Sequence, residues 1–97
     1  MTSAYIIANV HVTNAEQYED YKKLSSLAIR AYGAEVCVRG GTVQVLEGDW
    51  QPERVVVLKF AHAKDARAFY DSAEYTRARQ ARAGAAVTRM VVVEGAA

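Results

Sequence analysis

The hydrophobic pattern of this chain passes from a period of two residues to about 3.6 and back, and does so twice, and that alternation limits the folds open to it. Residues 4–12, AYIIANVHV, are β-branched and apolar and read as a strand. In TNAEQYEDYKKLSSLAIRAYG, by contrast, Tyr18, Tyr21, Leu24, Ala28 and Ala31 recur three or four apart, which is a helical stripe. Thr13 or Asn14 can cap that helix, with Glu16 or Gln17 returning the bond of a capping box, and Gly33 stands where a glycine ends one. AEVCVR resumes the strand pattern, and GGTVQVLEGDW continues it after a glycine pair expected to form a bulge or bend. GDWQPER reads as a turn and VVVLKF as a strand. AKDARAFYDSAEYTRARQAR is helical with Ala66, Phe69, Tyr70 and Ala73 inward, and Asp71 and Ser72 favour a kink or restart within it. AVTRMVVVEG is the last strand.

The resulting order is β-α-β-β-α-β, the split arrangement of ferredoxin-like folds: an α+β antiparallel sheet with two helices on one face. Ninety-seven residues without a linker or repeat are expected to form a single domain over 1–97. A chain that is 52% hydrophobic and 24% charged carries enough apolar surface to fold. Its net charge of +1, with both signs interspersed, lacks the basic stripe that nucleic acids require. The one cysteine, Cys37, has no partner for a disulfide or a zinc site and is expected to act as a small hydrophobe in its strand. MTSAYIIANV has no basic segment and too short an apolar run for a signal peptide or membrane span, so a cytoplasmic location is expected.

Alternation leaves a problem on the second face of the sheet. Tyr5, Ile7, Asn9 and His11 lie opposite Ile6, Ala8, Val10 and Val12; Val55, Val57 and Lys59 oppose Val56, Leu58 and Phe60; Val87, Arg89, Val91 and Val93 oppose Thr88, Met90, Val92 and Glu94. Both faces are rich in valine and isoleucine, whereas a half-solvated antiparallel sheet normally alternates apolar with polar. A homodimer packed face to face would bury the second one.

Several residues together carry a resemblance. They are Tyr18 and Tyr21 in a YxxY, Gly33, the run Arg39-Gly40-Gly41, Glu47-Gly48-Asp49-Trp50, Phe60, FYDSAEY at 69–75, Arg82, and Glu94-Gly95. On these the chain resembles, over nearly its whole length, the family called domain of unknown function 1330. Ala34 departs from it where the family prefers a second glycine, as does FAHAKDA at the start of the second helix. The resemblance implies a dimeric α/β barrel built on the ferredoxin-like fold. The wider superfamily includes cofactor-free enzymes of oxygenation, isomerisation and decarboxylation, an analogy at the level of fold alone.

No Ser-His-Asp order, metal cluster or nucleotide motif is present, so neither metal nor cofactor is expected, and no reaction follows from the residues. The candidates for ligand binding are Arg39, Glu47, Ser72, Tyr75, Arg82, Tyr18, Tyr21 and His11. Arg39 has two compatible readings, a bidentate clamp for a substrate carboxylate or the partner of Glu47 or of a carboxylate on a neighbouring strand. The tyrosines read either as amphipathic core or as the aromatic lining of a pocket between sheet and helices, closed by Ser72 and Arg82. His11 has no evident partner for acid–base work, and Trp50 fits a dimer contact or lid. The expected function is small-molecule binding, of a carboxylate or an aromatic, in each protomer of a dimer; whether that binding serves cofactor-free catalysis is left open by the residues. The alternative is a non-catalytic binding or structural module.

Overall fold

A computed structural model describes residues 2–96. Its elements are β1 (Ala4–Val12), α1 (Ala15–Ala31), β2 (Glu35–Arg39), β3 (Arg54–Phe60), α2 (Ala63–Asp71), α3 (Ala73–Ala81) and β4 (Ala86–Glu94). The strands form one sheet in the order β2-β3-β1-β4, with each neighbouring pair antiparallel. This is the expected ferredoxin-like topology.

The period-two pattern decides which side chains lie beneath the helices. Ala4, Ile6, Ala8 and Val10 of β1 are buried, and so are their β3 neighbours Leu58 and Phe60. From the helices Tyr18, Tyr21, Ala28, Ala66, Phe69, Tyr75 and Ala78 close over them. Ala31 and Ala73, expected inward, are exposed; Ser25 and Ser72 are buried instead.

Caps explain the helix boundaries. Asn14 accepts from the Gln17 amide at 3.0 Å, as an N-cap should. The return bond of a capping box is not made, because the Gln17 side chain donates to the carbonyls of Ala81 and Ala83 and ties α1 to the end of α3. Gly33, at φ +65°, follows α1 in the left-handed region that glycine enters freely. Ser72 divides the second helical stretch: its backbone is extended, and its hydroxyl accepts from the Tyr75 amide at 3.1 Å to start α3.

Two expectations about the second strand are corrected. Residues 40–53 form no strand, although TVQVLE alternates well, since strand pattern without a partner strand leaves the backbone groups to water. Val43, Val45, Leu46 and Trp50 are exposed there. The register shift falls between Val36 and Val38, not at Gly40-Gly41. Cys37 sits at that shift and is exposed rather than packed. The shift has a large consequence. Val36 pairs with Leu58 on the helix side, and strict alternation would turn Arg39 away. With the extra residue, Val38 pairs with Val57 on the outer face and Arg39 pairs with Val56 on the helix side.

Candidate functional site

Between α1 and the sheet lies a cavity of about 390 Å³, within the ordinary range for small-ligand sites. Its sheet side is apolar, formed by Ile6, Ala8, Val10, Val56, Leu58 and Met90, and Phe69 and Tyr75 lie at the buried end. Helix α1 contributes Tyr18, Tyr21 and Ser25. Lys22 and Arg39 mark the exposed side, with half-buried Arg54 beside them. Among the described residues no aspartate, glutamate or histidine lines the cavity.

The cations differ in what holds them. Lys22 is paired with Glu19 at 2.7 Å. Arg39 and Arg54 make no ion pair among the described residues, and Arg54 Nε is buried without a hydrogen-bond partner. A buried donor left without an acceptor is costly and calls for an explanation. Gly40 makes room for this side chain. Its φ is +66°, and a Cβ there would run into the Arg54 guanidinium. Its amide donates to the Val55 carbonyl at 2.8 Å, which fixes the turn beside Arg54.

The tyrosines form the polar part of the interior. The Tyr21 and Tyr75 hydroxyl oxygens are 2.7 Å apart and buried, and Arg82 Nη1 donates to the Tyr75 oxygen at 3.4 Å. The Arg82 guanidinium lies 4.8 Å from the Tyr21 ring centroid, close enough for a cation–π contact. Burial, reinforced by neighbouring Tyr21, raises the pKa of Tyr75 far above the ordinary tyrosine value. Burial also raises Tyr18, and Arg54 and Arg82 offset this only in part. Both are therefore neutral proton donors at physiological pH.

A folded-state tyrosine pKa raised above the unfolded value of about 10 contributes stability that is complete below pH 10 and is lost as pH rises toward the folded value. Urea midpoints should therefore decline above about pH 10, and less steeply in Tyr75→Phe than in the wild type. Equal declines would show that Tyr75 is not held neutral by the fold.

Of the residues singled out from sequence, Arg39, Tyr18, Tyr21 and Tyr75 meet at the cavity. Arg82 stands behind them, touching Tyr75. Ser72 donates to the Phe69 carbonyl at 2.6 Å and accepts from the Tyr75 amide, so it positions Tyr75 rather than lining the cavity. Glu47 lies in the exposed 40–53 segment, and the Arg39–Glu47 pair is not formed. His11 is on the opposite sheet face, where its Nδ1 is 2.6 Å from Glu53 Oε2. Arg54 is not among those residues, although it shares the inner face of β3 with Val56, Leu58 and Phe60, an unusual place for a charge.

A four-stranded antiparallel sheet, helices on one face and a cavity beneath α1 define a ferredoxin-like α+β protein. The chain belongs to the family described as domain of unknown function (DUF1330), whose model matches residues 3–96. No curated protein sequence matches it significantly. Among solved structures, it is similar to a protein of unknown function from Rhodopseudomonas palustris, at 18% identity and a TM-score of 0.77, covering 99% of this chain and 84% of that one. A dimeric ferredoxin-like protein of unknown function from Thermobifida fusca matches at 17% identity and a TM-score of 0.63, over 99% and 92% of the two chains. SnoaB, a cofactor-independent oxygenase from Streptomyces nogalater, matches at 9% identity and 0.63, over 100% and 96%. At these identities the likeness is one of fold. No helix among the described residues is long and apolar enough to cross a membrane.

Proposed function

We propose that the protein is a homodimer whose protomers each bind a small organic acid in the cavity beneath α1, with its apolar body inside and its carboxylate on Arg39 and Arg54. The observation that carries this reading is the pair of guanidiniums without a carboxylate partner at a cavity with an apolar floor and no acidic lining residue. A planar, bidentate donor without a carboxylate partner in the protein fits a carboxylate supplied by a ligand. Tyr18, Tyr21 and Tyr75 would contact the body of that ligand, with Ser72 and Arg82 holding Tyr75 in place.

The lining offers cations and neutral hydroxyls rather than a base. Its chemical capacity is to stabilise negative charge that the ligand brings with it, first on a carboxylate and then on an enolate already ionised in water. With no base in the lining, cofactor-free chemistry of the kind named for SnoaB would need such a ready-ionised ligand here. The dimer draws support from the apolar second face of the sheet and from relatives in fold described as dimeric.

A thermal-shift screen of aromatic and short carboxylic acids tests the binding reading, since a ligand that prefers the folded form raises the melting temperature. Arg39→Ala should melt like the wild type, because Arg39 is exposed and unpaired. The Arg39→Ala/Arg54→Ala protein should fold yet lose the shift. Shifts that persist in it would overturn the assignment.

A further inference from the structure

The Tyr21–Tyr75 pair leaves one proton over. Two hydroxyls 2.7 Å apart carry two protons, and their mutual hydrogen bond uses one. Arg82 donates to the Tyr75 oxygen and so accepts nothing. Among the described residues neither hydroxyl has any other hydrogen-bond partner. Two arrangements satisfy these contacts. Tyr75 donates to Tyr21 and the Tyr21 proton is free, or Tyr21 donates to Tyr75 and the Tyr75 proton is free. In either case one phenolic donor without an acceptor belongs to side chains that line the cavity and are 8% and 2% exposed. The adjacent guanidinium polarises the chain of donors and strengthens the outgoing bond.

We infer that the cavity selects acids carrying a second, uncharged acceptor oxygen remote from the carboxylate, the class of acyl- or keto-substituted aromatic and alicyclic acids. The carboxylate faces the exposed cationic side, and the carbonyl oxygen accepts the free proton of the Tyr21–Tyr75 pair. The inference rests on the reading that the cavity binds an organic acid. It adds a requirement at the buried Tyr21–Tyr75 pair.

Two probes of nearly the same shape separate the two ideas. 4-Acetylbenzoate and 4-isopropylbenzoate share a carboxylate and a ring and differ in a carbonyl oxygen against a methyl group. Calorimetric titration of the full chain should give about tenfold tighter binding of the acetyl compound, the net value of one good buried hydrogen bond. The preference should survive in Tyr21→Phe and in Tyr75→Phe, because the remaining hydroxyl keeps its own proton. It should vanish in Tyr21→Phe/Tyr75→Phe, which still binds both acids through the arginines. Removing both hydroxyls together orphans neither, and Arg82, which is half-buried, can turn its freed Nη1 to water, so this variant should fold. Independently of any variant, the infrared carbonyl stretch of 4-acetylbenzoate bound to the wild type should lie below its position in an apolar solvent. Equal affinities, an unshifted stretch, or a preference that persists in the double variant would overturn the inference and leave the acid-binding reading intact. Failure of both acids to bind the wild type would overturn the two together.

Discussion

Replacing Phe69 with alanine is expected to cost about 3–5 kcal/mol, the range for deleting a fully buried aromatic ring. Phe69 is 1% exposed near the end of α2. Its ring centroid lies 4.5 Å from that of Tyr75, 5.4 Å from Phe60 and 6.2 Å from Tyr32, so one ring joins both helical segments to β3. The contacts are tilted or edge-on, geometries that add to simple area burial. The loss is also poorly healed, because the ring already borders a cavity that alanine would enlarge. For a domain of this size, total stability is about 5–15 kcal/mol, so the variant should lose much of its margin. Urea denaturation at fixed protomer concentration is the measurement. Phe69→Leu, which keeps most of the volume, should lose less than half as much. A loss in Phe69→Ala below about 1 kcal/mol would mean that the ring does not anchor α2 to the sheet.

The same residues show how much could be read in advance. Phe69 and its helical neighbours were legible because period 3.6 is a local property of sequence, as was period two in β1, β3 and β4. Ser72 was legible as a break for a similar reason: a short hydroxyl side chain competes for backbone amides within its own turn. The route of Arg39 to the cavity was not. It depends on one unpaired residue between Val36 and Val38, and an inserted residue in a ladder leaves no mark on the alternation of the strand that carries it. Arg54 was hidden differently. Its position on an inward face was plain, but a charge at the first residue of a strand is ordinarily taken as part of the preceding turn. The polar pair Tyr21–Tyr75 spans 54 positions of sequence, and nothing local predicts that two amphipathic rings turn their hydroxyls toward each other. TVQVLE is the opposite case, a strand pattern with no partner strand within the protomer.

Val91→Asp should convert the protein to monomers at low micromolar concentration, and the sheet register supplies the reason. Val38 pairs with Val57, Val57 with Ile7, and Ile7 with Val91, so one apolar row crosses all four strands on the face away from the helices. Ile7 and Val38 are each 37% exposed and Val91 is 55% exposed in the single chain. The shift at Cys37 completes the row, since without it Val38 would turn inward beneath the helices. A second copy meeting this face about a two-fold axis would set the row against its own counterpart. Such an interface should exceed about 1,600 Å² in total and be largely apolar at its centre. The exposed 40–53 segment, with Val43, Val45 and Leu46 in strand pattern, could then find the partner strand it lacks. An aspartate at Val91 would place a charge of each copy on the buried face, stripped of water and without a partner, and association cannot compensate for that. The same substitution on a solvated face would be nearly neutral, so the variant should remain folded by circular dichroism as the dimer is lost. Sedimentation equilibrium reads the outcome. A wild-type protein that is monomeric at low micromolar concentration, or a Val91→Asp protein that stays dimeric, would remove this face from the interface.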